Sequence, residues 1–313
     1  MGPADRADRQ RIRDVLADFH ATRYPLPGVQ AASHRDVYVD QLLESMRRVR
    51  YITVIRQRPI DPRRADPASG PFDPHKGAAY LASHGQLDEA FWQVFISVHF
   101  GRNRVHGWRC ARAVYNGLGA VRWDWARISA NPQAFRQWLA NNQATFSPGG
   151  PYAGFGNHRK YQSLDAHDPK GTGQAFISYV NWIRPPRSHS QFLQDAANAV
   201  GNDPRVLFAH LYESMETVAS FGRTARFDYL TMLGKLGLAA ITPDRPYLHG
   251  ATGPLHGAKL LFLGNSTATG LSTNELETRV GQLGVALRVG MQEMEDSLCN
   301  WQKSPGQFRP YRG

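Results

Sequence analysis

The chain has 313 residues, 42% apolar and 11% aromatic, with 37 basic against 26 acidic side chains and a formal charge of +11. That length and apolar content suit one large or two ordinary folded domains and exclude a disordered chain. The excess of positive charge points to an anionic partner, and no run of 18 apolar residues predicts a membrane-spanning helix.

In chain order, the N-terminus is charged and lacks the apolar core of a signal segment, and the myristoylation pattern fails at Arg6. Apolar residues at Ile12, Val15, Leu16 and Phe19 predict a helix over 5–24. Val37, Val39, Leu42, Leu43 and Met46 predict a second over 33–49, and Tyr51–Ile55 reads as one short strand. Residues 56–78 hold Pro59, Pro62, Pro67, Pro71 and Pro74 among arginines, the composition of a linker or surface loop. The expected organisation is therefore an N-terminal helical extension with its linker over 1–80 and a main domain over 81–313.

Residues 87–100 predict a buried helix. Between Gly101 and Arg136 stand seven arginines, among them Arg102, Arg104, Arg109 and Arg112, against Asp124 as the lone acid. Trp108, Trp123 and Trp125 interleave with them, and Trp138 follows. Arginine contacts phosphate while tryptophan stacks on unpaired bases, so this stretch suits nucleic acid; a solvated face over core tryptophans is the alternative. Asn131-Pro132 opens a helix through 139, and Ser147–Gly156 is turn-rich. Further helices are predicted over 172–183, 190–200, 204–218 and 272–298, the last with Ser272 and Glu275 in capping-box spacing. The predicted fold is all-α with at most a minor β element and no internal repeat.

Four segments carry more charge and glycine than packing requires. In the first, Gly154 to Tyr161, Asn157, His158, Arg159 and Lys160 offer adjacent donors on a glycine-freed backbone, a cradle for pyrophosphate or DNA phosphate. In the second, Gly222 precedes a helix whose first turn holds Arg223 and Arg226, an anion site of backbone and guanidinium donors. Asp228 follows at about 140° around that helix from Arg223, as a general base or as half of a structural ion pair. The third places His256 and Lys259 three apart on one side of a helix. The fourth holds Glu295, Asp296 and Lys303, with Glu295 at the edge of the stripe through Met294 as a candidate base for an amine. Metal-ligand spacings, hydrolase elbows and dinucleotide fingerprints are absent. Cys110 and Cys299 form no paired motif, as in a reducing cytoplasm.

The strings FGNHRKYQSLD (155–165), SYVNWI (178–183), FGRTARFDYL (221–230), GATGPLHGAKLLF (250–262) and EDSLCNWQKSP (295–305) resemble the α-glutamyl/putrescinyl thymine pyrophosphorylase family, the phage amino acid:DNA transferases. The resemblance runs from about Leu87 to Gly313 and leaves the first 80 residues unmatched. It implies a fold related to helix-hairpin-helix DNA glycosylases, with FGRTARFD in the hairpin's place, and an enzyme at work in the cytoplasm of an infected bacterium. It also implies that an amine, such as glycine, glutamate or putrescine, displaces pyrophosphate from 5-(pyrophosphoryloxymethyl)uracil in double-stranded DNA. On this reading Asp228, Glu295 or Asp296 takes the amine's proton. The donors Asn157, His158, Arg159, Lys160, Gly222, Arg223, Arg226, His256, Lys259 and Lys303 hold substrate and pyrophosphate, while Arg102, Arg104, Arg109, Arg112 and Trp108 meet the DNA. No organic cofactor or membrane is implied, and a divalent ion such as Mg2+ has no ligand motif to mark it. The alternatives are a glycosylase that excises a modified base and a DNA-binding protein without catalysis.

Overall fold

A computed structural model describes residues 3–152, 154–156, 159 and 162–311, with side chains from Arg6 on. Among the described residues the regular structure is helical, with two isolated bridges as the β component. The helices are α1 (Pro3–Thr22), α2 (Ala32–Ile55), α3 (Pro74–Ser83), α4 (Leu87–Phe100), α5 (Arg109–Tyr115), α6 (Trp125–Ala130), α7 (Pro132–Asn141) and α8 (Gln143–Phe146). They continue as α9 (Thr172–Trp182), α10 (His189–Val200), α11 (Pro204–Ser214), α12 (Arg223–Leu236), α13 (Gly253–Leu263), α14 (Thr273–Leu287) and α15 (Met291–Trp301). The all-α expectation holds. None of the described helices is long and apolar enough to cross a membrane.

Two expected elements differ. The run Tyr51–Ile55 is the last turn of α2 and not a strand. β-Branched side chains lower helix propensity only slightly, and a helix already nucleated upstream propagates through them. The expected single helix over 272–298 is two, because Arg288 turns left-handed at φ 56° and Gly290 begins a new helix. The step from Leu287 to Met291 keeps helical spacing across that break, so periodicity alone conceals it. The capping box of Ser272 and Glu275 is present at the start of α14.

The chain divides into two compact units, one of residues up to Tyr51 with those from Pro243 on, the other Ile52–Thr242. In the first unit the apolar faces of α1, α2 and α13–α15 share one core through Ile12, Leu16, Tyr38, Leu42, Leu261 and Leu276. Trp301 meets Tyr38 edge-on there, with ring centroids 5.0 Å apart. α13 lies close against α15: a Cβ on Gly257 would come within 2.3 Å of the Leu298 carbonyl oxygen, so glycine is what permits the approach.

The second unit is built around α4. Every residue from Ala90 to Phe100 is buried, so this helix is enclosed on all sides, with α3, α5, α6, α10 and α12 against it. Its core is aromatic. Phe95 stacks on Tyr179 at 4.0 Å and on Phe221 at 4.8 Å, and Phe176 stacks on Phe135 at 4.3 Å. Trp92 gives its indole N–H to the Trp123 carbonyl at 2.7 Å, which meets the hydrogen-bonding need of a buried ring. Trp123 and Trp125 are 4% and 5% exposed, so of the tryptophans read as stacking candidates these two are core. Their indoles face Phe135 and His189, leaving no ring face for a base.

At the start of α4, Glu89 accepts from the Tyr115 hydroxyl and from the Trp125 N–H at 2.6 Å. Burial pushes its carboxyl up from 4.5 to about 7, against the lowering effect of those bonds. Between these two values the unfolded chain releases a proton that the folded chain still holds. The contribution is thus fully present below pH 4.5 and is lost as pH rises through 7. Glu89→Gln should remove this slope, a change of about 3 kcal/mol across the window. Melting temperatures of both proteins at several pH values from about 4.5 to 8 check it, and parallel curves would exclude Glu89 as the titrating group.

Candidate functional site

The segment around Arg159 docks on the C-terminal end of α4, where helix carbonyls lack intrahelical partners. Gly156 gives its N–H to the Phe100 carbonyl at 2.7 Å, and Arg159 Nε donates to the Val98 carbonyl at 2.7 Å. A cation at a helix C-terminus is also favoured by the dipole. Gly156 presses against Gly101: a Cβ there would stand 2.6 Å from the Gly101 carbonyl carbon. The glycine expected to open the backbone to a ligand thus serves chain-to-chain packing.

Arg159 is 7% exposed and donates from Nη2 to Asp228 Oδ2 at 2.9 Å, while the Asp228 side chain is 47% exposed. The pair joins two of the expected segments across 69 positions of sequence. It leaves a carboxylate at the surface with a buried cation behind it. Beside them, His99 offers its ring to Thr172 Oγ1 at 2.9 Å. That hydroxyl already donates to the Ser163 carbonyl, so His99 Nε2 carries the proton. Burial first, and then the charge of Arg159, pushes this histidine down to about 3, so it stays neutral.

The N-terminus of α12 has Gly222 as its cap, a residue with no side chain to bond the first N–H groups. Arg223 lies over the Phe227 ring at 5.0 Å. Arg226 lies over the Tyr212 ring at 4.4 Å and donates to the Tyr212 carbonyl at 3.1 Å. The geometry agrees with the angular separation read from the sequence: Arg223 and Arg226 look elsewhere, and the cation at Asp228 is Arg159. Asn157, His158 and Lys160 lie outside the described residues.

Arg102 and Arg104 are exposed on the turn that follows α4, and Trp108, Arg109 and Arg112 are half-buried beyond it. Trp108 meets His75 edge-on at 5.3 Å. Burial chiefly pushes His75 down to about 4, and the charges of Lys235 and Arg102 add to this against Asp73.

The remaining candidates belong to the other unit. Asp296 is held by Ser45, by Arg48 and by Asn300 at 3.0 Å. Lys303 donates to Asn300 at 3.2 Å, which places Asp296 and Lys303 in one chain of hydrogen bonds. Glu295 is half-buried one position earlier on α15, and His256 and Lys259 are half-buried on α13.

Sequence reasoning missed a buried polar chain in the Asp228 unit. Asp88 accepts from His189 Nδ1 at 2.8 Å, so His189 Nε2 accepts from the Tyr179 hydroxyl at 2.8 Å. The Tyr229 hydroxyl then donates to the Tyr179 oxygen at 2.7 Å. Burial holds His189 below its usual range despite Asp88. The chain ends on Tyr229, beside Asp228 on α12, and its members are 101, 10 and 50 positions apart, beyond the reach of any local motif. Among the described residues no three His, Cys, Asp or Glu side chains gather as a metal set.

Residues 33–313 match the family model for alpha-glutamyl/putrescinyl thymine pyrophosphorylase clade 3. The match begins well before Leu87, so much of the N-terminal region that the resemblance left unmatched is part of the family sequence. Neither a curated protein nor a solved structure matches the chain. The chain belongs to the alpha-glutamyl/putrescinyl thymine pyrophosphorylase family, clade 3, an enzyme family of thymine modification.

Proposed function

We propose that the protein replaces pyrophosphate on 5-(pyrophosphoryloxymethyl)uracil in DNA by an amine. The observation that carries this reading is the Arg159–Asp228 pair, which brings an exposed carboxylate and a buried cation together from two family segments. In the reaction the carbon–oxygen bond breaks with its electron pair leaving on pyrophosphate, and the amine lone pair forms the new carbon–nitrogen bond. The pyrimidine ring spreads the positive charge that develops on the methylene carbon, so the protein's task is to position, stabilise the anion and exclude water. A nitrogen that has become four-bonded must shed a proton, and Asp228 can accept it. In this reading the start of α12, Arg223 and the donors Asn157, His158 and Lys160 hold the anion, with Arg159 behind the Asp228 carboxylate. The amine is an amino acid or a polyamine, and the base reacts outside the stack.

Duplex DNA bearing the pyrophosphorylated base, incubated with glycine, glutamate or putrescine, tests this by mass spectrometry of its nucleosides. An aminated thymidine with released pyrophosphate is expected; free base would indicate a glycosylase, and unchanged nucleosides a DNA-binding protein. Asp228→Asn should slow transfer at pH 7 by about 100-fold and recover in part near pH 9, where more free amine exists. Wild-type turnover by this variant from about pH 6 to 9 would make Asp228 structural and pass the role to Glu295.

The arginines after α4, with Arg102 and Arg104 exposed and Arg109 half-buried, predict DNA binding that weakens with salt. Replacing Arg102, Arg104 and Arg109 by Gln should flatten the logarithmic salt dependence by roughly 0.9 for each phosphate that no longer meets a guanidinium. Fluorescence anisotropy across a salt series measures this, and an unchanged slope would remove the stretch from the DNA face.

A further inference from the structure

At 80% exposure, Val105 is the most exposed large apolar side chain among the described residues. It stands at the tip of a tight turn. Asn103 and Gly107 exchange both backbone hydrogen bonds at 2.9 Å, with Arg104, Val105 and His106 between them, and Gly107 supplies the left-handed residue at φ 57°. The Asn103 side chain makes the turn rigid. Its Oδ1 accepts the N–H groups of Val105 and His106 at 2.9 Å each, and its Nδ2 donates to the Phe155 carbonyl at 3.0 Å. The tip therefore has its N–H groups satisfied internally, and what it offers outward is a branched aliphatic side chain. Arg102, Arg104 and His106, all exposed, surround it.

A rigid apolar tip flanked by two arginines and a histidine fits duplex DNA. Arginines grip the phosphates on either side while an aliphatic wedge enters between base steps and unstacks them. The other exposed valines among the described residues, Val54, Val206 and Val285, lie on helices α2, α11 and α14, and a helix face is too broad to pass between base pairs. The turn also leads back, through Asn103 and Phe155, into the segment that carries Arg159.

We infer that Val105 is the wedge that enters the base stack and fills the space left by the target base as it swings out. The inference rests on the proposed reaction at a flipped base and adds the residue that opens the duplex. Val105 acts here on the stack and not on the reacting atoms, so it is a positioning residue. Because the side chain is exposed, Val105→Ser leaves the fold intact, and Val105→Leu keeps an aliphatic tip.

The test uses a duplex with 2-aminopurine beside the pyrophosphorylated base, and a second duplex in which that base faces an abasic site and is already loosened. Wild-type protein and Val105→Leu should brighten the 2-aminopurine several-fold on binding the first duplex. Val105→Ser should bind within about threefold of wild type, because the arginines still grip the phosphates, yet leave the probe dark. It should transfer amine to the paired duplex about tenfold more slowly and to the abasic-opposed duplex at the wild-type rate. Equal brightening by Val105→Ser, a dark probe with wild-type protein, or equal slowing on both duplexes would overturn the wedge. Normal transfer by Val105→Ser would remove the wedge and leave the transferase reading standing. Brightening that depends on Val105 with no aminated nucleoside from the wild-type protein would do the reverse.

Discussion

A guanidinium buried in an aromatic interior must find acceptors, and those of Arg159 include the Val98 carbonyl at the end of α4 and the Asp228 carboxylate. An unpaired buried cation costs several kcal/mol, so the pair fixes the parts it touches. It fastens the segment around Gly156 to the unfinished end of α4 and sets the face that α12 presents. The partners are unequal. Asp228 is half in solvent and can change its company, whereas Arg159 cannot leave. Such asymmetry suits a carboxylate that must exchange protons with a substrate while its position stays constant.

The rest of this unit serves that placement. α4 is apolar enough to be enclosed on every side, and so its last carbonyls become fixed acceptors in the interior. Its own Phe95 packs against the rings of Phe176 and Phe221, and the chain from Asp88 through His189 and Tyr179 to Tyr229 ties α12 to the same core. Each hydroxyl and ring nitrogen in that chain has a partner, which is the condition for a polar network to add order rather than cost. With Tyr229 held inside, Asp228 at the next position is directed to the rim. His99, kept neutral by burial and by Arg159, lets the cation sit there without a second charge beside it.

Much of the fold was legible because its signals are local. Pro132 and Pro204 mark helix starts, and the capping box at Ser272 and Glu275 is visible as spacing alone. The break at Arg288 was hidden by a stripe that keeps its period across the turn, and the end of α2 was hidden by β-branched residues that a running helix absorbs. The site was legible in part. Glycine and basic residues drew attention to Arg159 and Asp228 separately, but nothing local says that they meet, because the pairing depends on where α4 ends. Trp123 and Trp125 show the converse. Their place among arginines suggested stacking on bases, and only their packing against Phe135 and His189 shows them to be core. The polar chain from Asp88 was invisible for the same reason as the ion pair.

If Arg159 and Asp228 act as one unit in the reaction, the effects of replacing them should not add. The direct measurement is single-turnover pyrophosphate release from pyrophosphorylated duplex DNA by the wild-type protein, Arg159→Lys, Asp228→Asn and the double variant. Melting curves run alongside separate folding from catalysis. The account predicts that each single variant slows about 100-fold or more, and that the double variant is no slower than the worse single. Release at the wild-type rate by the folded single variants, or rate reductions that multiply in the double variant, would contradict it.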